Sequence, residues 1–141
     1  MSDSVEAFFY GLYMDPELLE SLGFRPGTVK KAKMDSYTVD LFGAAKIVPK
    51  AGSVVWGNII RLSEPDLKAM YSFDATKAYS PQMIQVTEAD GKFATATCYN
   101  LPESNNNPFN SEYHEKLIHV LKKLEFPSEY IDSVKALGES S

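Results

Sequence analysis

The sequence predicts an α+β fold, with a mostly antiparallel, barrel-like sheet and helices packed at one end. Short apolar or alternating runs, typical of strands, dominate the first two thirds of the chain, whereas amphipathic helices close it. Strands and helices do not alternate regularly, as a doubly wound fold would require. With 141 residues, of which 44% are hydrophobic, we expect one domain spanning residues 1–141.

The first elements carry clear start and stop signals. Residues 7–10 form a short apolar run that Gly11 ends, which predicts a buried strand followed by a turn. Asp15 before Pro16 predicts the N-cap and first position of a short helix. Apolar and polar residues then alternate over residues 36–41, which predicts a half-buried strand.

The strongest strand signal lies at the centre of the chain. Residues 54–62 are almost continuously apolar, which indicates a strand covered on both faces. Gly57 within this run predicts a bulge or a close approach of another backbone. Ser63, with Pro65 and Asp66 soon after it, predicts the capped start of a helix.

A hairpin and two helices complete the predicted fold. Residues 83–87 and 92–99 are strand-like and flank a Gly-containing turn. Within the second strand Cys98 shares a face with small alanines, so we interpret it as a core residue. Residues 110–124 carry an apolar helical stripe, and a last helix begins at residues 127–128 and is expected to stop at Gly138.

Composition limits the function classes. A net charge of −5 disfavours a nucleic-acid-binding protein. A single cysteine excludes an internal disulfide and fits a reducing compartment. We expect no signal peptide, because the first residues have no basic region and no long apolar stretch, and no apolar run is long enough to cross a bilayer. We therefore expect a cytoplasmic protein with no membrane partner.

Metal and nucleotide chemistry find no support in the sequence. His114 and His119 are five residues apart, so they do not share a helical face, and we expect both at the helix surface. No acidic or cysteine cluster accompanies them. Neither a Gly-x-Gly-x-x-Gly motif nor a Walker-type loop occurs. We expect no metal and no cofactor.

Two features remain as candidates for chemistry. Residues 10–14, here called the Tyr-Gly loop, follow a strand end and precede a helix, so successive backbone N–H groups there can bind an anion. Asp74 follows the predicted central helix, where a carboxylate can project into a cavity and act as a general base. A plain strand-to-helix turn and a solvated aspartate are the alternatives.

Taken in order, four segments resemble the gamma-glutamylcyclotransferase-like superfamily. Residues 9–14 (FYGLYM) are similar to its opening strand and Tyr-Gly loop, and residues 52–57 (GSVVWG) to the strand before its central helix. Residues 67–86 are similar to its helix, acid, tyrosine and following strand. Residues 108–130 resemble its closing Pro-x-x-Tyr and paired helices. The likeness covers nearly the whole chain.

This resemblance implies a barrel-like α+β fold with one cavity and a cofactor-independent reaction on a small gamma-glutamyl, carboxylate or amide ligand. The loop would bind the substrate carboxylate through backbone donors. An acid would take a proton from the substrate α-amine, which then attacks the γ-carbonyl and releases 5-oxoproline. By position Asp74 is the acid. The implied substrate-binding residues are Tyr10, Gly11, Leu12, Tyr13, Met14, Tyr79 and Tyr113.

The chain departs from the family pattern at two places. The acid is Asp rather than Glu, which shortens its reach by one methylene, and an alternative register puts Lys77 at that position. Leu12 and Tyr13 replace small polar residues in the loop. Three functions follow: a gamma-glutamylcyclotransferase-like enzyme, a binding module that keeps the fold and has lost or changed the chemistry, or a different reaction in the same pocket. The leaving amine and the oligomeric state stay open.

Overall fold

Five strands close into a barrel in a computed structural model that describes residues 4–73, 76–101 and 108–139. The order around the barrel is β1-β3-β2-β4-β5, and all neighbours are antiparallel except β1 and β5. The mostly antiparallel, barrel-like α+β prediction is thus confirmed. The strands are β1 (Ser4–Phe9), β2 (Val29–Asp40), β3 (Lys46–Ser63), β4 (Ser80–Glu88) and β5 (Phe93–Asn100).

The first three α-helices begin at side chains that accept hydrogen bonds from the first turn. The helices are α1 (Pro16–Ser21), α2 (Glu64–Met70), α3 (Ser111–Lys123) and α4 (Ser128–Glu139), with a 3₁₀ helix at Leu12–Met14. Asp15 caps α1 and Ser63 caps α2, as predicted, and Asn110 caps α3. In the described ranges no helix has the length and apolarity needed to cross a membrane.

Strand β3 sets the point at which β1 ends. Its backbone pairs with β1 from Ser63 opposite Ser4 to Asn58 opposite Phe9. A Cβ atom at Gly57 would collide with the carbonyl oxygen of Phe9, which confirms the predicted close approach. The Tyr-Gly loop therefore starts at a position that the β1–β3 register determines.

The β4–β5 hairpin shows the predicted alternation. Ala96 and Cys98 are fully buried, whereas Phe93 is 73% exposed on the outer face. Burial of Cys98 raises the pKa of its thiol from 9.0 to about 12. The thiol is therefore protonated near neutral pH, in keeping with a core residue.

The prediction for His114 is wrong. His119 is exposed, but His114 is buried, with its Nε2 atom 2.6 Å from the carbonyl oxygen of Val134 in α4. A Cβ atom at Gly138 would lie 2.8 Å from Cε1 of the His114 ring. His114 lies three residues before Leu117 and seven before Leu121, so it shares the buried face of α3, against which α4 packs; Gly138 lies within α4 rather than after it.

Candidate active site

A cavity of about 350 Å³ lies where the Tyr-Gly loop meets the start of α3 and the chain after α2. This volume is within the range typical of small-molecule sites. Six of the thirteen described residues that line the cavity are aromatic, and none of the thirteen is charged. The tyrosines of the wall are Tyr10, Tyr13, Tyr71, Tyr79 and Tyr113.

The structure brings together the predicted substrate-binding residues, with one exception. The cavity is lined by Tyr10, Gly11, Leu12, Tyr13, Tyr79 and Tyr113. Met14 is fully buried and does not line it. Asp74 lies outside the described residues, although Thr76, two positions later, lines the cavity. The binding and catalytic roles of these residues stay predictions.

The hydroxyl of Tyr113 lies against the Tyr-Gly loop. The backbone N–H of Leu12 donates to Tyr113 Oη at 3.0 Å, and a Cβ atom at Gly11 would collide with the same oxygen. Gly11 is therefore required for close approach rather than for an unusual φ angle. Burial raises the pKa of Tyr113 to about 12, so this hydroxyl is neutral near pH 7.

Some backbone N–H groups at the loop form hydrogen bonds within the loop itself. Met14 N donates to the carbonyl oxygen of Gly11 at 3.0 Å, and Asp15 N donates to that of Leu12 at 3.2 Å. These bonds form the 3₁₀ turn. Fewer successive N–H groups are therefore free to bind an anion than the sequence predicted. The N–H of Leu12 donates to a hydroxyl on the cavity wall.

Two polar side chains from distant elements hold the loop. Asn58 of β3 donates from Nδ2 to the carbonyl oxygen of Met14 at 2.8 Å. Lys123 of α3 places its Nζ 2.9 Å from the Asp15 carboxylate, which also caps α1. Sequence reasoning missed Asn58, and the available signal was a lone amide within the apolar run 54–62.

Tyr13 forms a wall of the cavity and does not fill it. Its hydroxyl donates to the carbonyl oxygen of Met70, the last residue of α2, at 3.0 Å. Its ring packs edge-on against Phe9 and Tyr71, with centroids 6.2 and 5.7 Å away. Through this hydrogen bond and these ring contacts, Tyr13 links the loop to α2 and to Tyr71, the residue after that helix.

The hydroxyls of Tyr10 and Tyr79 also donate to backbone carbonyl oxygens. Tyr79 donates to the carbonyl oxygen of Ala45, and Tyr10 donates to that of Tyr99 at 3.1 Å. Tyr71 stacks on Tyr99 with centroids 3.9 Å apart. Burial raises the pKa values of Tyr10, Tyr71 and Tyr79 above the ordinary tyrosine range. The wall therefore presents neutral ring surfaces to a ligand.

The described residues between α2 and β4, 71–73 and 76–79, make short-range backbone hydrogen bonds. Thr76 donates from Oγ1 to the carbonyl oxygen of Met70 at 3.0 Å and from its backbone N–H to that of Phe73 at 2.9 Å. Lys77 N donates to the same Phe73 oxygen at 2.8 Å, and the Lys77 side chain is exposed. Lys77 does not line the cavity, so its position does not support the alternative register.

Within residues 4–73, 76–101 and 108–139, no three His, Cys, Asp or Glu side chains group closely enough to hold a metal ion. The polar groups that line the described wall are hydroxyls, amides and backbone atoms. This inventory suits recognition of a small polar ligand through hydrogen bonds inside an aromatic enclosure.

One comparison with known proteins identifies a family, and solved structures share the fold. A model of the family described as gamma-glutamyl cyclotransferase, AIG2-like, matches residues 7–120. A solved structure described as a gamma-glutamyl cyclotransferase is 20% identical, with 94% of this chain and 87% of that chain covered and a TM-score of 0.79. An uncharacterized human protein is also 20% identical, with coverages of 96% and 88% and the same TM-score of 0.79.

A more distant structure has the same fold. A yeast gamma-glutamyl cyclotransferase specific to glutathione is 10% identical, covers 94% of each chain and has a TM-score of 0.66. At these identities the structural likeness establishes the fold alone. A search of curated proteins found no match.

Proposed function

Because this chain belongs to the gamma-glutamyl cyclotransferase, AIG2-like family, we propose that it is a cyclotransferase that releases 5-oxoproline from a gamma-glutamyl amine or amino acid. One observation carries the proposal. A single cavity is lined by the Tyr-Gly loop and by Thr76 and Tyr79, which follow Asp74 closely in the chain. The ligand is a small molecule with a free carboxylate and a γ-amide.

The reaction is an intramolecular acyl transfer. The α-amine of the substrate loses a proton and attacks the γ-carbonyl, forming the ring C–N bond. The bond from this carbonyl carbon to the original amide nitrogen then breaks, and that nitrogen leaves with a proton. Since nucleophile and electrophile belong to one molecule, correct orientation supplies much of the rate, and the overall reaction consumes no cofactor.

The Tyr-Gly loop is the proposed carboxylate site. Leu12 N–H already donates to an oxygen, the hydroxyl of Tyr113, which marks a place where a ligand oxygen can accept. In the proposed complex the substrate carboxylate takes this bond and Tyr113 moves aside or donates to the carboxylate. Gly11 allows either arrangement because it leaves room for a hydroxyl beside its Cα.

Asp74 is the proposed general base. It is an acidic residue between α2 and β4, and the described side chains that line the wall are uncharged. Its carboxylate would take the α-amine proton and pass a proton to the leaving nitrogen. General base catalysis of this kind contributes roughly 10²–10⁴-fold to rate.

The test measures 5-oxoproline released from a panel of gamma-glutamyl substrates by mass spectrometry. We expect turnover by the natural chain, a loss of ~100-fold or more in Asp74→Asn, and partial activity in Asp74→Glu, which keeps the carboxylate. Asp132→Asn, a substitution at an exposed position of α4, serves as the matched control. Equal turnover by Asp74→Asn and the natural chain excludes Asp74 as the base.

A second function, a non-catalytic binding module, is favoured by one observation. Two N–H groups donate to carbonyl oxygens of the loop, and the N–H of Leu12 donates to the hydroxyl of Tyr113. Fewer backbone donors are therefore available to a ligand than the loop sequence suggests. Thermal-shift screening with gamma-glutamyl compounds, followed by product analysis, separates the two functions. Stabilisation without 5-oxoproline supports the binding module, and any catalytic release excludes it.

A further inference from the structure

We propose that Asn58 is a positioning residue, which fixes the Tyr-Gly loop at the cavity by holding the carbonyl of Met14. The inference rests on the proposed function for its kinetic readout. Asn58 does not line the cavity and would not touch a ligand. Its action passes through the backbone of the loop.

Only one of the two polar side-chain atoms of Asn58 has a hydrogen-bond partner among the described residues. The residue lies in β3 opposite Phe9, the last residue of β1, and is 3% exposed. Its Nδ2 donates to the carbonyl oxygen of Met14 at 2.8 Å. Its Oδ1 is buried and has no hydrogen-bond partner in the part of the chain that the structure describes.

This arrangement is poorly explained by strand stability alone. Burying an amide oxygen without a partner is unfavourable, because the oxygen gives up its hydrogen bonds to water. The next strand residues, Ile59 and Ile60, are buried and apolar, so an apolar side chain of similar size would suit position 58. What an apolar side chain cannot supply is the N–H donor to Met14.

The bond acts on the part of the loop that faces the cavity. Met14 ends the 3₁₀ helix that begins at Leu12, whose N–H is the proposed carboxylate donor. Holding the Met14 carbonyl therefore sets the position of that N–H relative to the barrel. A misplacement of about 1 Å at a reacting centre can reduce the rate ~100-fold.

The first test is Asn58→Leu, which removes the donor and the unpaired oxygen together. We expect an unfolding midpoint close to that of the natural chain, a fall of roughly 10- to 100-fold in kcat/KM, and faster amide hydrogen exchange in residues 11–15. The control is Ile60→Val in the same strand. It should lower stability slightly, with exchange in the loop unchanged.

The second test is Asn58→Asp, which keeps the size and makes the donor depend on pH. A buried carboxyl favours its neutral form, and the neutral form donates its O–H to the Met14 carbonyl whereas the carboxylate cannot. We expect activity near that of the natural chain at low pH and a loss as pH rises through the raised pKa of the introduced carboxyl group. That loss is expected to be absent from the natural chain.

A purely structural role predicts different results. If Asn58→Leu loses stability while loop exchange and kcat/KM stay unchanged, or if Asn58→Asp shows no added pH dependence, the inference is wrong. Failure of the proposed function is distinguishable, because it appears as an absence of 5-oxoproline from the natural chain. In that case hydrogen exchange in residues 11–15 still decides whether Asn58 holds the loop.

Discussion

The two walls of the cavity are held in different ways. The Tyr-Gly loop is tied to residues far away in the chain: Asn58, Tyr113 and Lys123. The described part of the turn after α2 is held mostly by its near neighbours, since Thr76 bonds to Met70 and Phe73. Long-range contacts also reach this wall, since Tyr79 bonds to Ala45 and Tyr13 bonds to Met70.

This difference separates two tasks of the proposed reaction. The wall that would bind the carboxylate is positioned by the tertiary structure, so substitutions in β3 and α3 should move it. The wall that follows Asp74 is set largely by a local turn, and locally bonded segments open at lower free energy than the core. Substitutions on the two sides should therefore differ in how they affect stability and activity.

Gly57→Ala should have the largest effect, because its new Cβ would meet the Phe9 backbone. We expect a loss of roughly 1–3 kcal/mol in the free energy of unfolding, as in other overpacked cores, measured by urea denaturation. Gly11→Ala is the comparison, since its Cβ would meet only the end of the Tyr113 side chain. An equal or larger loss in Gly11→Ala contradicts the prediction.

Tyr113→Phe removes the acceptor for Leu12 N–H and should lower stability by about 1 kcal/mol at pH 8. The natural hydroxyl has a pKa of about 12 when folded but about 10 when unfolded, so its stabilising effect is complete below pH 10. It is lost as pH rises to about 12. The deficit of Tyr113→Phe should therefore shrink over that window, in urea denaturation curves recorded from pH 8 to 11.

The control for this substitution is Tyr37→Phe, in a half-buried position of β2. Tyr37→Phe also removes one tyrosine hydroxyl but leaves the bond between Leu12 N–H and Tyr113 in place. A deficit of Tyr113→Phe that grows above pH 10 would contradict the assigned direction of the pKa change.

Thr76→Val should affect activity more than global stability. The change keeps the shape of the side chain but removes its bonds to Met70 and Phe73, which hold a turn rather than the barrel. We expect a fall in kcat/KM with a smaller stability change than in Tyr113→Phe, measured by 5-oxoproline release and thermal unfolding. Thr95→Val on the exposed face of β5 is the control. A large loss of stability would show that this turn is part of the core.

Lys123→Gln should have the smallest effect. The Lys123 ammonium is partly exposed and pairs with Asp15 and Glu17, and exposed ion pairs contribute little to stability. We expect a slight decrease in melting temperature that high salt removes. A large, salt-independent decrease would mean that the pair with Asp15 is a main support of the loop.

Much of the fold could be predicted from local signals. Asp15 and Ser63 cap their helices as expected, because a cap depends on residues close by in the sequence. Gly57 marks the predicted close approach, because glycine has no side chain and lets another backbone come near. Convergence of the Tyr-Gly loop with Tyr79 and Tyr113 was expected from the family resemblance rather than from the residues alone.

What could not be predicted depends on packing between distant elements. His114 is an exception, because its spacing to Leu117 and Leu121 places it on the apolar face of α3 and already indicated its burial; only its bond to Val134 in α4 depends on distant packing. The bond from Asn58 to Met14 requires the register of β1 against β3, which an apolar run does not specify. Asp74 lies outside the described residues, so its role stays a prediction.

The most direct test of the central claim, that one cavity joins the Tyr-Gly loop to the proposed base, is a crystal structure of Asp74→Asn with a gamma-glutamyl substrate. We predict a substrate carboxylate oxygen within hydrogen-bond distance of Leu12 N–H and the α-amine beside residue 74. A substrate bound outside the cavity, or an α-amine out of reach of residue 74, would contradict the account.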